Sequence, residues 1–322
     1  LTFANQTLAS LANSSGASMV GFIQAGAGAV ARTMQSKARE SVSVLCFGAV
    51  GDGVTDDTTA INAAIAALTS NIKLVFTKGN YIYSNGSGGM ALSSLSNVEI
   101  EGQGSTLTFS TDDRFITVLN CSGVLIHGFK LKGTLSNSVR YVGNAEQGRI
   151  IVQTSDGVEI CHNRWEDTAG AAFMQTGADN VKFHHNDIIR THSGIQTSGA
   201  IFTNLEITDN YFLGHIYQTV DVGSDDQIAI FGAASGRVII SGNIIDKQGS
   251  TAYNQARAIS ITAGDGHDSE IIVSNNNIRN VITTIGASAR AAIEISGVNG
   301  SKTTTRVIVS DNVITNCNCP LY

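Results

Sequence analysis

A chain of 322 residues with 34 glycines, one proline, 14% charged residues and a net charge of −6 is long enough for one or two domains with a substantial core. Its sparse charge and many Val and Ile exclude a disordered chain, and its acidic balance excludes a basic nucleic-acid-binding surface. No apolar run approaches the ~20 residues of a membrane span, and no charged segment leads into an apolar stretch as in a signal peptide.

In chain order, residues 1–40 read as a short, partly helical neck. Gly26-Ala-Gly28-Ala-Val-Ala31 fits a loose dinucleotide fingerprint, but the alternating strands and helices of a nucleotide fold do not follow it. Residues 57–68 predict a helix capped by Thr55 or Asp56, with Ile61, Ile65 and Leu68 on one face. Strand-like Leu74-Val75-Phe76 and Tyr81-Ile82-Tyr83 come next. Asp52-Gly-Val-Thr-Asp56-Asp57 lacks the alternating acidic spacing and closing Glu of a calcium loop, so capping explains it better.

From residue 97 onward a repeat takes over. Two apolar residues spaced by two, an Asn at plus five and an apolar residue at plus seven begin at Val158-x-Ile160-x-x-Asn163-x-Trp165. The frame returns at Val181/Asn186, Leu205/Asn210, Val238/Asn243, Ile271/Asn276 and Val307/Asn312. Starts fall about 23 to 36 residues apart, the range of solenoids. Alternation marks short strands with one inward face. Asn at the bend tolerates left-handed backbone angles, and its amide can bond the same amide one turn away. A third apolar stretch, as at Ile228/Ile230, Ile259/Ile261 and Ile293/Ile295, makes three strands per turn. The predicted fold is all-β: a right-handed parallel β-helix solenoid whose open end is closed by the amphipathic helix. The expected divisions are a neck at 1–40, an N-terminal cap at 41–96 and β-helix rungs at 97–322.

Phe47-Gly-Ala-Val-Gly-Asp52-Gly-Val-Thr-Asp56-Asp57-Thr58 resembles the opening signature of pectate-lyase-like β-helix proteins. The segments Val20–Gly26, Ala29–Gln35 and Ser41–Val44 are similar to the neck before that signature in bacteriophage tailspikes and capsule or O-antigen depolymerases. The resemblance implies a homotrimer in the virion, made in the host cytoplasm and joined to the phage tail or baseplate by an attachment domain ahead of residue 1. It implies further rungs or a trimerising domain beyond Tyr322. The implied partner is a bacterial surface polysaccharide, with no cofactor, no metal, no nucleic acid and no membrane insertion.

Carboxylates on neighbouring rungs fall at glycosidase spacing. Asp225-Asp226-Gln-Ile-Ala-Ile230 looks like the paired-aspartate strand of polygalacturonase-type hydrolases, with Asp221 close by. That family's partner motifs are replaced here by Ser193-Gly-Ile-Gln196 and Ala256-Arg257-Ala258. Asp225, Asp226, Asp221 and Glu166 are the candidate catalytic acids. Trp165, Tyr217, Arg257 and Glu294 are the candidate substrate-binding groups, although Trp165 occupies an apolar slot that also suits the core. His184-His185 lies in a strand, so its rings are expected on opposite faces. The five cysteines, Cys46, Cys121, Cys161, Cys317 and Cys319, match no disulfide framework or zinc knuckle and are expected as free thiols. The expected activity is endo-glycoside hydrolysis. A polysaccharide lyase and a non-catalytic receptor-binding shaft are the alternatives.

Overall fold

The computed structural model describes residues 8–84, 89–110, 114–133, 149–191, 193–197, 202–213, 226–232, 234–247, 257–263, 269–281, 291–297 and 306–317. From Ser41 on, strand stacks upon strand in parallel. The coil therefore begins within the expected cap region, before the Asn repeat becomes visible.

Three faces repeat up the solenoid. One inward column runs Leu74, Ile100, Ile126, Ile160, Phe183, Ile207, Ile240 and Val273 in register, and continues to Val309, which is exposed. A second passes through Tyr81, Leu107, Leu131, Trp165, Ile188, Phe212, Ile245, Ile278 and Ile314. The third face is an eight-stranded parallel sheet from Met90–Ser93 to Ile293–Gly297. Its inward column is Met90, Ile116, Ile150, Ala172, Ile195, Ile228, Ile259 and Ile293. Like residues stack because successive turns superpose at ~4.8 Å, so each inward position meets its own counterpart. This is the predicted right-handed parallel β-helix, its hand being the rule for parallel crossovers.

The asparagines form a buried ladder. Asn186 donates through Nδ2 to Asn210 Oδ1 at 3.1 Å, Asn210 to Asn243 at 3.0 Å, and Asn243 to Asn276 at 2.9 Å. Each amide also reaches a main-chain carbonyl of the preceding turn, as Asn186 Nδ2 does to Ile160 O at 2.9 Å. One detail differs from the expectation. The left-handed residue is not the ladder Asn but the one before it: His162, His185, Asp209, Asn275 and Asp311 all have φ between 53° and 57°. The corner separates the two tasks, so the Asn keeps an ordinary backbone and spends its whole side chain on hydrogen bonds.

The capping helix spans Thr58–Ala66 and buries Ile61 and Ala64 fully. Asp57 stands at its N-cap, and Asp56 Oδ1 accepts from Thr58 N at 3.0 Å. The buried Asp57 carboxylate accepts instead from Val50 N (2.6 Å) and Gly51 N (3.2 Å), while Asp52 Oδ1 accepts from Val54 N and Thr55 N. These acids are committed to folding the loop, which accounts for the Gly-Asp-Gly-Val-Thr-Asp-Asp motif. The neck pairs Gly21–Phe22 with Arg32–Thr33 antiparallel, and Thr33 caps the short helix Met34–Ala38.

Candidate active site on the third face

Immediately before its strands, the third face carries polar residues at a recurring phase. Asp226 lies two residues ahead of Ile228, and Arg257 two ahead of Ile259, its partner in register. Glu294 follows Ile293 one rung further and sits beside Ser260. Strand alternation turns Ser260 and Glu294 away from the Ile column.

Arg257 joins the group. Its Nη1 donates to Asp226 Oδ2 at 2.9 Å and to Ser260 Oγ at 2.9 Å, and its Nε donates to Glu294 Oε2 at 2.8 Å. Its main-chain N–H adds a bond to Asp226 Oδ1 at 3.3 Å. Asp226 has no exposed surface, whereas the Glu294 side chain keeps 14%. Burial raises the Asp226 carboxyl above the usual carboxylate range, opposed by the charges of Arg257 and Lys247. Two carboxyl groups thus share one guanidinium from rungs two apart, on the order of 10 Å at the backbone. One is shielded and biased toward its proton; the other is reachable by water.

A second arginine lies on the same face. Arg149 precedes Ile150 and crosses two rungs, donating to Gln196 Oε1 at 2.6 Å and to Ser193 Oγ. Gly170, on the rung between, makes room: a Cβ there would lie 2.0 Å from Arg149 Nε. Arg149 is buried, its Nε has no hydrogen-bond partner, and burial pushes its pKa down to about 9. Ser193 stands at the phase of Asp226, one rung away.

The other sequence candidates fall elsewhere. Trp165 is fully buried in the second inward column, tilted against Phe183 with centroids 5.4 Å apart. This corrects its reading as a sugar-stacking group, because the plus-seven slot points into the coil. Glu166 sits on the outer side of that face, held by Lys130 Nζ (2.9 Å) and Arg164 Nε (2.6 Å), with Arg190 at 3.8 Å. Burial opposes ionisation, but the Lys130 and Arg164 bonds prevail and hold Glu166 below the usual carboxylate range. It is an ionised clamp, which corrects its reading as an acid. Asp221, Asp225 and Tyr217 lie outside the described residues.

His184 and His185 do not point apart. The strand ends at His184, His185 takes the left-handed corner conformation, and their Nδ1 atoms meet at 2.9 Å. Strand alternation holds only while the strand continues. Cys46, Cys121, Cys161 and Cys317 are free thiols as expected; Cys319 lies outside the described residues.

Sequence reasoning gave no role to Arg149 or Lys247 and took Ser193 and Gln196 only as departures from a family motif. For Arg149, Ser193 and Gln196 the available signal was their phase: polar residues directly ahead of, or alternating with, the third apolar stretch of a turn; Lys247, just after Ile244–Asp246, carried no such signal.

The fold defines the chain's class as a capped parallel β-helix. No protein-family profile matches it, and no curated protein matches it in sequence. Solved structures do. A tailspike protein mutant of E. coli bacteriophage HK620, in complex with pentasaccharide, is 15% identical with a TM-score of 0.52, covering 97% of this chain and 71% of that one. A hyperthermoactive exopolygalacturonase from Thermotoga maritima is 13% identical with a TM-score of 0.51, covering 87% and 88%. These likenesses establish a shared fold.

Proposed function

We propose that this chain is the β-helix of a tailspike that binds and hydrolyses a bacterial surface polysaccharide. The observation that carries the reading is the single guanidinium of Arg257 bridging Asp226 and Glu294 on the outer side of the third face. Asp226 has no exposed surface and anchors Arg257, so the proton for the glycosidic oxygen comes, as the bond to the anomeric carbon breaks, from one of the neighbouring acids in sequence, Asp221 or Asp225. Glu294, which water can reach, takes a proton from the water that forms the new bond on the opposite face of the sugar. Arg257 holds Asp226 and Glu294 in place.

Assembly follows from the neck. Exposed large apolar residues concentrate there and in the signature loop: Leu8, Met19, Ile23, Val30, Val50 and Val54 are each more than 40% exposed. Copies of the same segment packed about a common axis bury these side chains, which supports a homotrimer held at the end that faces the virion.

The test incubates the trimer with capsule or O-antigen from candidate hosts and follows new reducing ends. Glu294→Gln and the combined Asp221→Asn and Asp225→Asn changes are expected to stop their release while glycan binding persists. A trimer that binds glycan and shortens none would establish a receptor-binding shaft instead. A second reading, β-elimination on a uronic acid, is favoured by Arg149, a buried cation whose hydrogen-bond partners are neutral and whose Nε is unpaired. Unsaturated product absorbing in the near ultraviolet, without new hydrolytic ends, would select it.

A further inference from the structure

Away from the third face, the outer side of the first face carries a cluster that the glycan reading does not use. Glu159 and Cys161 lie two residues apart on one strand, with Ile160 turned inward between them. Cys161 pairs in register with His184 on the next turn. Strand alternation and rung stacking thus bring a carboxylate, a thiol and an imidazole to one spot. His184 Nε2 is 3.1 Å from Glu159 Oε1, Cys161 Sγ is 3.7 Å from the same oxygen, and the donor atoms all lie within 4.8 Å of one another. Ligand atoms around a tetrahedral zinc, each 2.0–2.3 Å from the metal, stand at about this spacing.

The surroundings favour an ion as well. A ligating imidazole is normally oriented by a hydrogen bond at its other nitrogen. His184 has that bond, from Nδ1 to His185 Nδ1 at 2.9 Å. His185 is fixed in turn by stacking on His162, with ring centroids 5.3 Å apart and planes 12° apart. Both corner histidines line an open depression of about 370 Å³ with Lys130, Arg164 and Asp187, so the second layer of the cluster lies next to solvent. The comparable group two rungs below, Glu99, Glu101 and His127, is already served by an internal cation: Lys73 Nζ lies 2.7 Å from Glu99 and 3.2 Å from Glu101. Lysine is not placed in this way against Glu159; Lys182 on the next turn leans 3.9 Å toward Glu206.

We propose that Glu159, Cys161 and His184 form a binding site for a borderline-soft divalent cation, zinc by its ligand chemistry, with His185 as the positioning residue for His184. Binding joins two turns of the coil through a bond that leaves one coordination position for water. The thiol proton and the proton shared between His184 and Glu159 leave for solvent as the metal enters.

The test titrates the full chain with cobalt(II), a spectroscopic substitute for zinc. About one equivalent is expected, with a near-ultraviolet sulfur-to-cobalt charge-transfer band that zinc abolishes by displacement. Cys161→Ser should lose the band and His184→Ala should weaken binding. His185→Ala, which removes no ligand, should weaken it by roughly 10- to 100-fold. Cys46→Ser, which alters an exposed free thiol, should leave the band intact. Circular dichroism of each variant separates loss of the site from loss of the fold. Failure of folded wild-type protein to produce the band, its survival in Cys161→Ser, or its loss in folded Cys46→Ser would overturn the proposal.

Discussion

Removing one amide from the corner ladder should be far more damaging than its size suggests. Asn186 is 1% exposed. Its Oδ1 accepts from Asn163 N at 2.9 Å, and its Nδ2 donates to Ile160 O at 2.9 Å. In Asn186→Ala the Asn163 N–H and the Ile160 carbonyl both lose this partner at a corner that excludes water. At about 1–3 kcal/mol for each buried group left unsatisfied, the expected loss is about 2–6 kcal/mol. Asn180 provides the contrast. It is exposed, has φ of 50°, and sits at a corner whose ladder faces solvent, where Asn204 Nδ2 donates to its Oδ1. Asn180→Gly keeps the permitted backbone and leaves water to replace the two lost exposed bonds, this one and that from Asn180 Nδ2 to Asp156 Oδ1, so a change within about 0.5 kcal/mol is expected. Urea unfolding measures both; where refolding is incomplete, unfolding rates serve instead. Hydrogen exchange at the Asn163 amide gives a local reading. Equal costs for the two substitutions, or less than about 1 kcal/mol for Asn186→Ala, would refute the assignment of corner stability to the buried ladder.

Three further outcomes are expected. Arg257→Leu leaves the Asp226 carboxylate buried without its principal cation and should cost about 3–5 kcal/mol at neutral pH. Because the folded carboxyl titrates above its ordinary 3.8, the native state binds more protons than the unfolded one. Stability is then highest below 3.8 and falls as pH rises toward the folded value. Losing Arg257 lifts that value further, so acidifying from pH 7 to 5 should recover more stability in the variant than in wild type, and parallel Tm-against-pH curves would contradict this. Gly170→Ala should destabilise by about 1–3 kcal/mol through its clash with Arg149, and Arg149→Ala in the same chain should relieve most of that; additive costs in a double-mutant cycle would remove the claimed contact. The single tryptophan, Trp165, is fully buried, so its fluorescence should resist aqueous quenchers and stay unchanged on adding glycan, and Trp165→Ala should cost about 3–5 kcal/mol. A glycan-dependent shift in emission would return Trp165 to the binding surface.

Much of this molecule was readable from its residues alone. The apolar pairs around Ile160, Phe183 and Ile207, with Asn three residues further on, announced a coil in which each turn repeats its predecessor, because side-chain alternation and a recurring corner are local properties. Of the acids of residues 52–57, Asp56 bonds the first turn of the helix as a capping residue would, while Asp52 and Asp57 fold their own loop. What the chain did not disclose was lateral. Arg149 meets Ser193 and Gln196 across more than 40 residues of sequence, and Arg257 meets Glu294 across 37, because turns of unequal length set which side chains become neighbours. Glu166 read as a free acid until Lys130 appeared beside it, and His184 read as opposed to His185 until the corner turned one ring toward the other. Periodicity determines that turns stack, but register and corner geometry decide which charges and rings meet, and those are settled only when the whole coil is wound.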